Sequence, residues 1–181
     1  MQTQPSPNGR NVPAHAPQRQ RFSGVRITHC SAMAFDEVVA RLRAHMGALS
    51  AQQVSEFGRQ ATSVAEFEDA VKPRLGDSGF VLMQEIDHGA WLKIYGVAGR
   101  HLRWIYGNPL IAVTLIRPDP IAGLFAPLEL LITEGPRGGV FITYVEPSSQ
   151  IVVDGDETEA LRTAAKGLDA KVEALLALVL A

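Results

Sequence analysis

Residues 127–146 read PLELLITEGPRGGVFITYVE, and this stretch decides the fold. Two apolar runs, PLELLIT at 127–133 and GVFITYVE at 139–146, flank the glycine- and proline-bearing EGPRG. Short runs rich in β-branched and aromatic residues on either side of a turn read as an antiparallel hairpin. Such a hairpin cannot cover its own apolar face, so the remaining chain must supply more strands and a layer of helices.

The C-terminal segment supplies the largest helix. After Pro147 the chain passes through SSQIVV and a turn at Gly155, and a long helix is expected from about Glu157. Its apolar positions Leu161, Ala165, Leu168, Val172, Leu175 and Val179 recur at four and three residues, a continuous seam that must be covered. Packing across the sheet covers it most simply; pairing with the same helix of another subunit is the alternative.

Towards the N-terminus, NPLIAVTLIRPDP at 108–120 has strand-like β-branched residues. Asn108 followed by Pro109 is nevertheless a helix-start pair, and Pro118 closes the far end, so a helix is expected. Asp119-Pro120 opens a second short turn. HLRWIYG at 101–107 alternates as a strand, with Leu102, Trp104 and Tyr106 on one side, and FVLMQEI at 80–86 reads as another. HGAWLKIYGVAGR between them reads as a short helix or loop. Two short amphipathic helices are expected within about 47–78, closing at the turn GDSG. Ser31 is placed as the cap of a helix carrying Phe35, Val38, Val39, Leu42 and Met46, ended by Gly47. A strand over 22–28 begins the domain.

The sum is one α+β domain over 22–181, an antiparallel sheet packed against helices. Residues 1–21 hold almost no large apolar side chain and read as a disordered arm. No period of 20 to 50 residues repeats, which sets solenoids and propellers aside.

Seventeen basic against nineteen acidic side chains, a net charge of −2, leave no global field for a nucleic-acid backbone, so no nucleic acid is expected as partner. A single cysteine, Cys30, permits no intramolecular disulfide and no thiolate zinc cluster. A reducing, cytoplasmic setting is the expectation. No apolar run of about 18 residues occurs and no secretory signal is recognised, so no membrane span is expected.

Phosphate-binding loops, dinucleotide fingerprints, HExxH and GxSxG are all absent from the sequence. Three groupings remain as candidates. Glu85, Asp87 and His88 place two carboxylates and an imidazole within four residues, able in principle to move a proton or hold a metal; a solvated strand end outweighs both, and no metal is assigned. Glu129 interrupts an apolar strand, and in one of two registers it shares a groove with Tyr144 and Glu146 of the partner strand. Trp91, Tyr95, Trp104 and Tyr106 lie close together among Lys93, Arg100, His101 and Arg103; core packing ranks first for these rings, a pocket or interface second.

FDEVVARLR at 35–43, FVLMQEIDHGAW at 80–91, GNPLIA at 107–112, DPIAGLFAPLELLI at 119–132 and TYVEPSS at 143–149 occur in an order that resembles the domain-of-unknown-function 302 family. The resemblance spans roughly residues 22–152, with 47–78 as extra helical sequence. It implies a TBP-like α+β domain, a curved antiparallel sheet against helices, often dimeric, and implies no activity or cofactor. Many members carry cysteines where this chain has Gly107 and Leu128, so no thiol chemistry is implied here.

The leading expectation is a domain that binds a small, largely apolar ligand in a groove on the sheet. Trp91, Tyr106 and Tyr144 would give contact area, with Glu85, His88, Asn108 and Glu129 at its polar margin. An acid–base hydrolase or isomerase using His88 with Glu85 or Glu129 is one alternative. A homodimer or other homo-oligomer without a ligand is the other.

Overall fold

A computed structural model describes residues 17, 19–135, 138–153 and 158–181. Most of the 1–21 arm, the tip of the hairpin turn and the Gly155 turn lie outside these residues. In chain order the elements are β1 (Arg26–Ser31), α1 (Phe35–His45), β2 (Gly47–Ala48), α2 (Ala51–Gln60), α3 (Val64–Val71), β3 (Val81–Asp87), α4 (Gly89–Leu92), β4 (His101–Gly107), α5 (Pro109–Ile116), β5 (Leu128–Glu134), β6 (Val140–Val145), α6 (Pro147–Ile151) and α7 (Glu159–Leu180). 3-10 segments occupy Lys72–Arg74, Lys93–Tyr95 and Pro120–Phe125. Among the described residues, no helix is long and apolar enough to cross a membrane.

The six strands form one sheet in the order β1-β6-β5-β4-β3-β2. The expected hairpin is β5–β6, with Leu130 opposite Tyr144 and Ile132 opposite Ile142. Residues 128, 130 and 132 therefore share a face with 140, 142 and 144, and all six are buried. Trp104 and Tyr106 of β4 stand opposite Leu130 and Leu128 and extend the same face. Helices α1 and α7 cover it: Phe35, Val38 and Leu42 meet Trp104, Leu130 and the buried seam Leu161, Ala165, Leu168, Val172, Leu175 and Val179 in one core. The seam is thus satisfied within the chain, and α7 packs directly on α1, α5 and α6.

Three local expectations are corrected. The sheet is not wholly antiparallel, because β2 pairs parallel to β3. The crossover between them, α2 and α3, is long enough to return the chain in the same direction, as a parallel pair requires. Ser31 is the last residue of β1 rather than a helix cap; its Oγ accepts from the Met33 amide at 3.2 Å, and α1 starts at Phe35 without a side-chain cap. The first strand accordingly runs over 26–31, and SSQI is helical in α6.

β2 fits only because two glycines cross. A Cβ on Gly47 would lie 1.7 Å from the Arg74 carbonyl oxygen, and one on Gly76 2.2 Å from that of His45. Helices α2 and α3 sit over the face opposite α1 and α7. Leu82 joins the main core, whereas its neighbours Val81 and Met83, which point the other way along the strand, join a second cluster with Leu49, Val71, Val54, Phe57 and Phe67. Each helix is capped by a serine: Ser50 accepts from the Gln53 amide in a capping box, and Ser63 from the Glu66 amide.

Candidate functional site

The sequence-derived candidates do not converge. Glu85 stands opposite Trp104, so it lies on the helix-covered face; its Oε2 accepts from Trp104 Nε1 at 2.7 Å and pairs with Arg43. Glu129 lies on the other face and pairs with Arg103 of β4. The observed register puts Tyr144 opposite Leu130 and therefore away from Glu129, which removes the shared groove. Tyr144 is buried instead, its hydroxyl donating to Glu173 of α7 at 2.6 Å. Burial and that carboxylate together push its ionisation well above the usual tyrosine range, so it stays neutral. Tyr106 is fully buried, with its ionisation likewise driven up by desolvation.

His88 and Trp91 do meet, edge to face at 5.9 Å, and Trp91 meets Tyr95 at 6.3 Å. They lie at the β3–β4 connection, at the end of the sheet where Asp87 pairs with Leu102. Asp87 Oδ1 accepts from the Ala90 amide and so starts α4 rather than facing His88. No group of three histidine, cysteine or carboxylate side chains that could hold a metal occurs among the described residues. His88, Glu85 and Glu129 thus occupy one sheet end and two opposite faces, an arrangement that leaves an acid–base pair no common substrate position.

At the β3–β4 connection a hollow of about 310 Å³ lies beside Asp87, Lys93 and Arg100, and a larger, mostly apolar cavity lies at the opposite end of the sheet, where β4 ends and α5 begins. The cavity measures about 540 Å³ and is bounded by Ala51 and Val54 of α2, Phe67 of α3, Met83 of β3, one flank of α5, Pro127 and Leu128, and Leu168 of α7. This cavity lies beyond the edge of the sheet rather than on its face, and of the predicted site residues only Asn108 lines it.

Asn108 builds this site without being free to bind. Its Oδ1 accepts from the Leu110 amide at 2.8 Å, capping α5, and its Nδ2 donates to the Gly79 carbonyl at 2.7 Å. Pro109 takes the first helical position, where the missing N–H costs nothing. Downstream, Asp119 Oδ1 accepts from the Ile121 amide, the repeated start signal read from the sequence.

What the sequence reading missed is the character of α5 itself. PLIAVTLI has no polar face, yet only Leu115 is fully buried. A helix apolar all round is ordinarily enclosed. Here Val113 remains 54% exposed, and beyond the helix Ile121 and Leu124 are 60% and 77% exposed. The signal was present in the run 109–116, whose single hydroxyl, on Thr114, is turned back onto the Ile111 carbonyl. Recognising it required noticing that this amphipathic position lacks its polar half.

Comparison with known proteins agrees with this architecture. The family model for the domain of unknown function DUF302 matches residues 57–179. A crystal structure of an uncharacterized conserved protein DUF302 from Bacillus stearothermophilus resembles the chain with a TM-score of 0.59 at 17% identity, covering 85% of this chain and 97% of that one. At that identity the likeness is one of fold. No curated protein matches the chain.

Proposed function

The chain belongs to the DUF302 family, a family defined by a domain of unknown function, and from that premise we propose that it binds a small, largely apolar molecule in the cavity beside α5. One observation carries the reading: an all-apolar helix is left half uncovered along a cavity whose other walls are mostly apolar. Small-molecule sites typically enclose about 300–1,000 Å³, lined by apolar side chains with a few polar groups. The cavity falls within that range, and burying the exposed flank of α5 against a ligand removes apolar surface from water at roughly 25 cal/mol per Å².

Native mass spectrometry of the purified chain, with a thermal-shift screen of acyl chains, terpenoids and aromatic compounds, tests this. A retained small-molecule mass, or a melting temperature raised by one class and no longer raised in Val113→Trp, is the expected result. Val113 is exposed, so the bulky ring enters the cavity without disturbing the core. No adduct and no stabilisation by any class would defeat the proposal.

A second reading, self-association, is favoured by the sheet face that α2 and α3 leave open. Ile86, Ile105, Leu131, Phe141 and Val145 are only half-buried there, around the Arg103–Glu129 pair. Pairing of two copies through this face predicts a dimer in sedimentation velocity at micromolar concentration that Leu131→Glu converts to monomer.

A further inference from the structure

The polar groups around the cavity differ in what they have left to offer. Ser55 Oγ is committed to the Ala51 carbonyl at 3.0 Å, and both ends of the Asn108 amide are engaged. Arg117, at the C-terminal end of α5, is the only charged residue in the lining. Its backbone N–H closes the helix on Val113, but its guanidinium has no hydrogen-bond or ion-pair partner among the described residues. Arg43, Arg100 and Arg103 are paired, with Glu85, Asp36 and Glu129 in turn, whereas Arg26 of β1, like Arg117, has no such partner among the described residues; Arg117 differs from Arg26 in lining the cavity.

We propose that the cavity takes an amphiphile with one anionic head, the tail lying along α5 and the carboxylate or phosphate meeting Arg117. This rests on the apolar-ligand reading above and adds the head group to it. An unpaired guanidinium beside an apolar hollow repels a cationic head, offers a neutral one a single hydrogen bond, and offers a carboxylate a charge-assisted, bidentate partner. A cation at a helix C-terminus also complements the helix dipole. That structural role predicts a small stability change on substitution and no discrimination between ligands, so the two roles separate by experiment.

The probes are decanoate, decan-1-ol and decylamine, which share a tail and differ in head charge, titrated calorimetrically into the full chain at neutral pH and low salt. The expected order is decanoate, then decan-1-ol, then decylamine, with decanoate about tenfold tighter than the alcohol, a ratio equivalent to about 1.4 kcal/mol. In Arg117→Gln the three converge, and in Arg117→Glu the order inverts. Decyl phosphate in the same assay distinguishes a phosphate head from a carboxylate. Arg117 is exposed, so both variants fold. Equal binding of the three probes to the unaltered protein, or an order that survives Arg117→Gln, overturns the anionic-head proposal and leaves the apolar site standing. Failure of every probe to bind, together with a negative ligand screen, removes the underlying site as well.

Discussion

Trp104 donates its indole N–H to Glu85 at 2.7 Å from directly across the β3–β4 pair, while Arg43 of α1 both pairs with that carboxylate and lies 5.0 Å over the indole ring. Three elements are thereby tied at one point, and the indole itself is wholly buried. A carboxylate that looks catalytic in the sequence is the acceptor for a core donor that has no other partner.

Glu85→Ala accordingly leaves a buried N–H unsatisfied and is expected to cost about 1–3 kcal/mol. Glu85→Gln keeps an acceptor and recovers most of it. Urea denaturation followed by tryptophan emission in a Trp91→Phe background, where only Trp104 reports, measures both. A Glu85→Ala variant as stable as its parent would sever this link.

Asn108 has two jobs that substitution can separate. Asn108→Asp keeps the capping oxygen and loses the donor to Gly79, whereas Asn108→Ala loses both. Alanine is expected to cost about 1–2 kcal/mol through the cap alone, with aspartate intermediate. Matching urea midpoints for the two variants would show that the cap contributes nothing.

The glycines divide sharply. At Gly47 and Gly76 an added methyl collides with backbone, so Gly47→Ala and Gly76→Ala are expected to unravel the β2 crossover and lower the melting temperature steeply. Gly58 in α2 and Gly167 in α7 meet nothing within 4 Å. Alanine there is expected to stabilise by about 0.5–1 kcal/mol each, because a helical glycine gives up more backbone freedom on folding. Calorimetry on the four single variants checks the contrast.

Stability should fall at both pH extremes. Asp36 is held below the usual carboxylate range chiefly by its hydrogen bond from Arg100, and Glu66 by bonds from Thr62. A carboxyl with a lower pKa folded than unfolded adds stability above about pH 4, and this is lost as pH falls through the folded value. Asp36→Asn with Glu66→Gln should flatten the acid limb of the urea midpoint. Tyr106 and Tyr144 shift upward, so their contribution is complete below about pH 10 and is lost above it; Tyr144→Phe should weaken the alkaline limb. An acid limb unchanged in the double variant would mean other carboxylates govern it.

Much of the architecture could be read from local chemistry. The hairpin, the Asn-Pro and Asp-Pro starts and the α7 seam are each dictated by residues within a few positions of one another. The site was less legible because it depends on long-range placement. Period-two alternation assigns Glu129 to a face but not its partner strand's register, and one step of register moves Tyr144 to the opposite side. The aromatic stretch divided in the same way, with Trp104 and Tyr106 inward on β4 while Trp91 and Tyr95 ride on the connection before it. The cavity draws on α2, α3, β3, α5 and α7, separated by more than a hundred residues, so no single window of sequence contained it.

The sheet's two margins are unequal. β1 offers six residues of backbone at one border; at the other, β2 pairs with only the first two of the seven residues of β3, so the outer edge of β3 beyond Leu82 has no strand partner. Growth into an open-ended fibre by strand addition needs two adhesive borders on every subunit. Strand addition at β1 would use one border and leave the other, stepped one exposed.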